Sequence, residues 1–173
     1  MDRARCPTCG EEHDLSEFEP TYRRPDAYLE VPEDERAFRT IAGKDDCRVR
    51  DADDTNRRFF LRVMLPVPVR GTVAPCNWGV WVEVTESSFA RTHELWDAPE
   101  AAQLLEPTFA ASLANTLLGY TGTVGLPGRV QLTGPTTTPR FTLDSDLVHP
   151  LALEQRNGVF PERVVEWLAA HMH

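Results

Sequence analysis

Two cysteines near the start of the chain have the spacing of a metal-binding turn. Cys6 and Cys9 are separated by two residues, and Gly10 follows directly. In a Cys-x-x-Cys-Gly turn two thiolates can hold one tetrahedral zinc ion, and the glycine permits the tight backbone conformation. His13 comes four residues after Cys9, within reach of the same ion. We therefore predict a structural zinc site with Cys6, Cys9 and His13 as ligands.

The fourth ligand of this site is open at the level of the sequence. A closed structural zinc site has four protein ligands. Cys47, at the start of a predicted strand, is the best candidate and completes the predicted set. Cys76 is the next thiol, and His93 or His149 could serve at an open site. The alternatives are that no metal binds, or that the cysteine pair is redox-active, which needs a helix N-terminus in a βαβ pattern that is not found here.

A second group of residues could bind a ligand or carry out acid–base chemistry. His149 opens a short predicted helix and Glu154 follows one turn later, so the two could act as an acid–base pair. Their spacing of five places them on different stripes of the helix, and the alternative is a helix cap beside a solvated glutamate. Aromatic side chains such as Trp81 bind ligands when exposed in a groove and otherwise pack in the core. The candidate binding residues are Trp81, Asn115, His149, Glu154 and Gln155.

The charge balance of the chain argues against nucleic acid and membranes as partners. The 173 residues include 18 basic and 27 acidic side chains, a net charge of −9. A nucleic-acid-binding protein usually presents a basic surface to phosphates, and no run of Lys and Arg supplies one. There is no apolar signal core at the start and no apolar run long enough to span a bilayer. We predict a cytoplasmic protein with reduced cysteines.

Alternating hydrophobic residues predict the strands that must position these side chains. Residues 59–67 and 78–84 alternate with a period of two, which is typical of paired antiparallel strands with one buried face. Shorter strands are predicted at residues 26–31, 47–50, 129–133 and 140–143.

Helical periodicity and helix-start signals alternate with these strands. Helices are predicted at residues 32–43, 86–97, 101–119, 150–156 and 161–172, with Pro107 dividing the third. Phe38 and Ile41 in the first helix are expected to face the core. We predict one α+β domain over residues 1–173: a mainly antiparallel sheet of about five to six strands, helices packed on it, and a zinc-knuckle-like leader at residues 1–25.

Segments spread over most of the chain match a recurring bacterial pattern. They are Cys6-x-x-Cys9-Gly10-x-x-His13, Tyr28 to Pro32, Asp46-Cys47, Phe59-Phe60-x-Arg62, Trp78-Gly79-Val80-Trp81-Val82, Asn115 to Tyr120, and His149-Pro150-Leu151-Ala152-x-Glu154-Gln155-Arg156-Asn157-Gly158. Together these segments resemble the bacterial domain of unknown function 2199 (DUF2199) family. The resemblance implies a small bacterial protein with no assigned activity, and it suggests that Cys6, Cys9, His13 and Cys47 belong together.

Three functions are compatible with these residues. The sequence contains no dinucleotide-binding glycine motif, P-loop, G-x-S-x-G or H-E-x-x-H. This favours a zinc-stapled, non-enzymatic module that binds a protein or a small molecule. The first alternative is a metal-dependent or other hydrolase-like enzyme that uses His149 and Glu154. The second alternative, from the acidic charge alone, is an immunity-type partner of a basic protein.

Overall fold

The secondary structure combines short helices with a long run of strands. The computed structural model describes residues 3–5, 10–15, 18–97, 108–134 and 137–171. The strands are β1 (Arg3–Arg5), β2 (Glu12–Asp14), β3 (Thr40–Ala42), β4 (Asp46–Arg50), β5 (Arg57–Val67), β6 (Cys76–Val84), β7 (Thr108–Leu113), β8 (Pro127–Gln131) and β9 (Arg140–Leu143). The helices are α1 (Asp26–Leu29), α2 (Arg36–Arg39), α3 (Glu86–Asp97), α4 (Pro150–Asn157) and α5 (Pro161–His171), with a 3-10 turn at Glu33–Glu35. In the described ranges no helix is long and apolar enough to cross a membrane.

Strands β5 to β9 close into a five-stranded mixed barrel. Each strand pairs antiparallel with the next, and β9 returns to β5, where Met64 lies opposite Arg140. In a five-strand meander the first and last strands run in the same direction. The closing pair is therefore parallel, and it makes the barrel mixed.

The predicted fold, a mainly antiparallel sheet with helices packed on it, is wrong. The alternation in β5 and β6 was interpreted correctly as one buried face, because the residues that alternate there all belong to the main core cluster. That face points into the barrel, where Val130 and Phe141 from β8 and β9 meet it. Local periodicity shows that a face is buried, but it does not show whether a helix layer or the sheet itself buries it.

Strand β5 pairs with different strands along its length. Its first half pairs with β4, from Arg50↔Arg57 to Asp46↔Leu61, and its second half reaches β9. Strand β3 pairs with the outer edge of β4, so these two strands extend the sheet beyond the barrel. A second buried cluster lies apart from the main core cluster: Ala27, Val31, Cys47, Val49, Phe60, Trp81 and Ala114.

Three local predictions differ from the structure. Residues 26–31, predicted as a strand, form the short helix α1 and its end. The range 32–43, predicted as one helix, holds a 3-10 turn, α2 and strand β3, and Phe38 and Ile41 are 60% and 62% exposed instead of core residues. The third concerns 101–119: residues 108–113 are strand β7, while 101–107 lie outside the described residues. Local preference is a weak guide in such short segments: the alanines of β7 favour a helix, but pairing with β6 and β8 makes the segment a strand.

The other predicted elements are confirmed. Strands β5 and β6, the β8–β9 hairpin and helices α3, α4 and α5 lie where the patterns indicated. In α5, Val164, Val165 and Trp167 are buried against the core. Before α1, the chain runs beside β6, where Thr21 and Gly79 form a parallel bridge. A Cβ on Gly79 would lie 3.0 Å from the Thr21 hydroxyl oxygen, which explains the glycine between the two tryptophans.

Candidate functional site

His149 is the N-cap of helix α4. Its Nδ1 accepts a hydrogen bond from the Leu151 main-chain N–H at 3.2 Å. Its Nε2 lies 2.7 Å from the carbonyl oxygen of Thr121, which requires Nε2 to carry the proton as donor. Both ring nitrogens are therefore occupied, and the ring is the neutral tautomer suited to a cap. This is the helix-cap alternative considered from the sequence.

Glu154 is half-buried and joins two helices and a loop. Its carboxylate accepts from the Tyr120 hydroxyl and, at 2.9 Å, from Nε of Arg163 in α5. The Arg163 guanidinium also lies over the rings of Tyr120 and Trp167. Burial and the neighbouring Glu154 carboxylate raise the pKa of Tyr120, so its hydroxyl stays a hydrogen-bond donor. The group fixes α5 against α4 and against the loop between β7 and β8.

The side chain of Gln155 forms hydrogen bonds with the main chain of β9. Its Oε1 accepts from the Leu143 N–H at 2.9 Å, and its Nε2 donates to the Phe141 carbonyl at 3.0 Å. The side-chain amide therefore pairs with β9 as a neighbouring strand would. Gln155 also borders a broad surface depression of about 420 Å³ beside Pro66 and Arg140, but its amide is already occupied.

Asn115 and Trp81 come together in a buried polar link. Asn115 is fully buried, and its Oδ1 accepts from the Trp81 main-chain N–H at 2.8 Å. Its Nδ2 donates to the Arg24 carbonyl at 2.9 Å and to the Asp26 carboxylate at 3.2 Å. The Trp81 indole N–H donates to the Tyr22 carbonyl. This link fastens the segment before β3 to the barrel and leaves the Trp81 ring fully buried.

An arginine-lined cavity of about 220 Å³ opens beside β4 and β5. We call it the arginine cavity. Its lining residues are Phe38, Arg39, Thr40, Ile41, Arg48, Arg50, Arg57, Phe59 and Glu86. Four of these are arginines and one is acidic, although the whole chain carries a charge of −9. Such an arrangement of guanidinium groups is suited to an anion.

The cysteines in the described residues are buried thiols. Cys47 is fully buried in the second cluster, and Cys76 donates weakly to the Phe18 carbonyl at 3.5 Å. Burial raises the pKa of Cys47 to about 11 and that of Cys76 to about 12. Cys6, Cys9 and the side chain of His13 lie outside the described residues. Within the described part of the chain no group of three or more His, Cys, Asp or Glu residues could hold a metal ion.

Cys47 and Cys76 are expected to resist alkylation by iodoacetamide in the folded protein at pH 8. The thiolate is the reactive form; burial raises the pKa of both groups and keeps the reagent from reaching either sulfur atom. Mass-spectrometric mapping of the modified peptides measures this directly. The same reaction in guanidinium chloride is the control and should modify both residues. Rapid modification of Cys47 in the folded state would contradict the expectation.

Comparison with known families places the chain in a bacterial group. A family profile described as "Uncharacterized protein conserved in bacteria (DUF2199)" matches residues 5–159. The chain belongs to the DUF2199 family. Searches of curated proteins and of solved structures found no significant match.

The DUF2199-like segments around Trp81, Asn115 and His149 form hydrogen bonds that stabilise the fold. The His-Pro-Leu-Ala segment supplies the cap His149 and the strand-like amide of Gln155. The segment from Asn115 provides the buried link to Trp81. His149 and Glu154 both lie near Tyr120, but no hydrogen bond joins one to the other among the described contacts.

Sequence reasoning missed the arginine cavity. Arg48 and Arg50 are two residues apart on β4, which places them on one face of the strand. Arg57 lies opposite Arg50 on β5, and Arg39 approaches from α2. The alternation of Arg48 and Arg50 was a detectable signal. The contribution of Arg39 and Arg57 was not, because it depends on how β4, β5 and α2 meet.

Proposed function

We propose that this DUF2199 protein is a cytosolic, non-enzymatic binding module whose N-terminal hairpin is stabilised by a structural zinc ion. The arginine cavity is its ligand-binding surface. The ligand is a small molecule or a short segment of a protein. The observation that carries the proposal is that the candidate catalytic side chains are already bonded within the fold.

The occupied side chains favour binding over acid–base catalysis. A general acid or base needs a hydrogen-bonding atom free to meet the substrate. Both nitrogens of His149 and the amides of Asn115 and Gln155 have partners within the protein. The Glu154 carboxylate is held by Tyr120 and Arg163. None of the four contributes to the arginine cavity.

The zinc proposal is supported by the hairpin that frames the cysteine pair. Strands β1 and β2 pair antiparallel, with Arg5 opposite Glu12, so residues 6–11 connect them. Gly10 has a φ of 76°, a conformation that glycine adopts readily, and its carbonyl accepts from Nε of Arg5 at 2.8 Å. Two thiolates on such a connection are typical of half of a tetrahedral zinc site. Cys6, Cys9, His13 and Cys47 remain the proposed ligand set.

Metal analysis of protein purified without a histidine tag tests the zinc proposal. We expect about one zinc ion per chain, since a closed site holds a single ion. Cys6→Ser and Cys9→Ser are each expected to abolish zinc retention, because a structural site does not tolerate loss of a thiolate.

The buried thiols provide a matched pair for the fourth ligand. Cys47→Ser is expected to weaken zinc retention, and Cys76→Ser is expected to leave it unchanged. The reverse result would indicate that Cys76, and not Cys47, is the fourth zinc ligand. Wild-type protein without zinc, even after reconstitution, would overturn the zinc part of the proposal and leave the binding role to be judged separately.

A further inference from the structure

We propose that the arginine cavity binds a small organic phosphate, with the phosphate between the guanidinium groups and an apolar portion against Phe38 and Ile41. This inference rests on the proposed binding role and names the class of its ligand. It does not depend on zinc. The argument comes from the charge, strand pairing and exposed apolar surface at this one place.

The positive charge of the arginine cavity is only partly neutralised. Arg39 pairs with Glu35 at 2.6 Å and Arg50 with Asp54 at 3.1 Å. Arg48 and Arg57 have no carboxylate within salt-bridge distance among the described residues; Arg48 lies over the Phe89 ring instead. Two guanidinium groups in the cavity therefore have no ionic partner among the residues that the structure describes. An anion would supply one.

Strand pairing places two of these charges face to face. Arg50 and Arg57 are directly opposite in the antiparallel β4–β5 pair, and both border the cavity. Like charges at opposite positions of neighbouring strands are destabilising. An anion held between them converts this repulsion into attraction. Asp54 offsets part of this repulsion at Arg50, and a bound anion would offset the rest.

The donors are set on regular elements from three directions. Arg48 and Arg50 project from β4, Arg57 from β5 and Arg39 from α2, where its Nε donates to the Arg50 carbonyl at 3.0 Å. Guanidinium groups donate paired hydrogen bonds to phosphate or carboxylate oxygens. Arg48 and Arg57 lack a carboxylate partner among the described residues, and these two cations match the two charges of a phosphate monoester better than the one charge of a carboxylate.

The apolar border selects for more than inorganic phosphate. Phe38 is 60% exposed and Ile41 is 62% exposed, and both line the cavity. Exposed apolar side chains beside a few convergent polar groups are typical of small-molecule sites. A cavity of about 220 Å³ suits a compact group with one ring or a short chain. The predicted ligand is therefore a phosphate monoester of a small apolar alcohol or phenol.

Calorimetric titration with four probes tests this assignment. Phenyl phosphate is expected to bind most tightly, followed by inorganic phosphate, then benzoate, with no detectable binding of phenol. Affinity should fall as salt is added, because ionic attraction at an open site is screened. Absence of phenyl phosphate binding, or equal binding of phenol, would overturn the inference.

Variants separate site binding from general charge effects. The double variant Arg48→Ala and Arg57→Ala is expected to weaken phenyl phosphate binding by about tenfold or more, since it removes two charge-assisted donors. Arg91→Ala, a surface change in α3 outside the cavity, is the control and should bind normally. Unchanged binding in the double variant would contradict the proposed site.

Neutralising Glu86 provides a test in which the expected result is tighter binding, which misfolding would not produce. Glu86→Gln is expected to tighten phenyl phosphate binding about threefold, because it removes a carboxylate from the lining of the cavity. Weaker binding in this variant would count against the assignment. Zinc-free Cys6→Ser protein should still bind phenyl phosphate, so failure of the zinc proposal and failure of this one are distinguishable.

Discussion

Gly128→Ala is expected to destabilise the protein by about 3 kcal/mol, because the barrel has no room for one added methyl group at this position. A Cβ on Gly128 would lie 2.4 Å from the Thr142 carbonyl oxygen and 2.7 Å from Cζ of Phe141. One of these neighbours is main chain of β9, which cannot move without disturbing the strand that closes the barrel. Urea denaturation would measure the lower free energy of unfolding.

Gly79→Ala is the matched control. There the added Cβ would meet only side-chain atoms of Thr21, at 3.0 and 3.3 Å, so a smaller loss of about 1 kcal/mol is expected. Adding Thr21→Ala should restore much of that loss, because it removes the two closest atoms. No single side-chain truncation should rescue Gly128→Ala in the same way. Equal effects of the two glycine substitutions would contradict the close approach at Gly128.

Asn115→Leu is expected to cost about 4 kcal/mol, since it keeps the volume but leaves the Trp81 N–H and the Arg24 carbonyl without their partner. Both bonds are short, at 2.8 and 2.9 Å, and Asn115 is fully buried. Water cannot replace the lost side chain without opening the second cluster. The change in unfolding free energy and in protease cleavage near residues 20–30 would measure the effect.

Asn77, a half-buried asparagine at the start of β6, provides the control. Asn77→Ala removes only a 3.3 Å surface bond to Glu19, and its cost is expected to stay within about 0.5 kcal/mol. If Asn115→Leu proved equally mild, Asn115 would not be the fastening point of the segment before β3. Asn115→Leu is not expected to change catalytic activity or ligand binding, because Asn115 does not border the arginine cavity.

The predicted candidate binding residues are held by contacts within the fold. The sequence identified Asn115, His149 and Gln155 as special polar positions, and the structure gives each a defined set of hydrogen bonds. It could not tell a catalytic histidine from a capping one, because the difference lies in the Thr121 carbonyl, 28 residues away. The spacing of residues along one helix carries no information about this distant partner.

The two long strands, the later helices and the family could be predicted from the sequence alone. Alternation over β5 and β6 and the 3.6-residue stripe of α5 are local patterns, and each reports directly which face is buried. The helix predicted over 101–119 failed at β7, because pairing with β6 and β8 overrides the helix preference of the alanines there.

Two features depend on contacts between distant parts of the chain: the closure of the barrel and the clustering of arginines at the arginine cavity. Closure depends on β9 reaching Met64 of β5, a contact between strands far apart in sequence. The arginine cavity depends on β4 lying beside β5, so that Arg50 faces Arg57. Both follow from long-range pairing, for which a single sequence carries no local periodic signal.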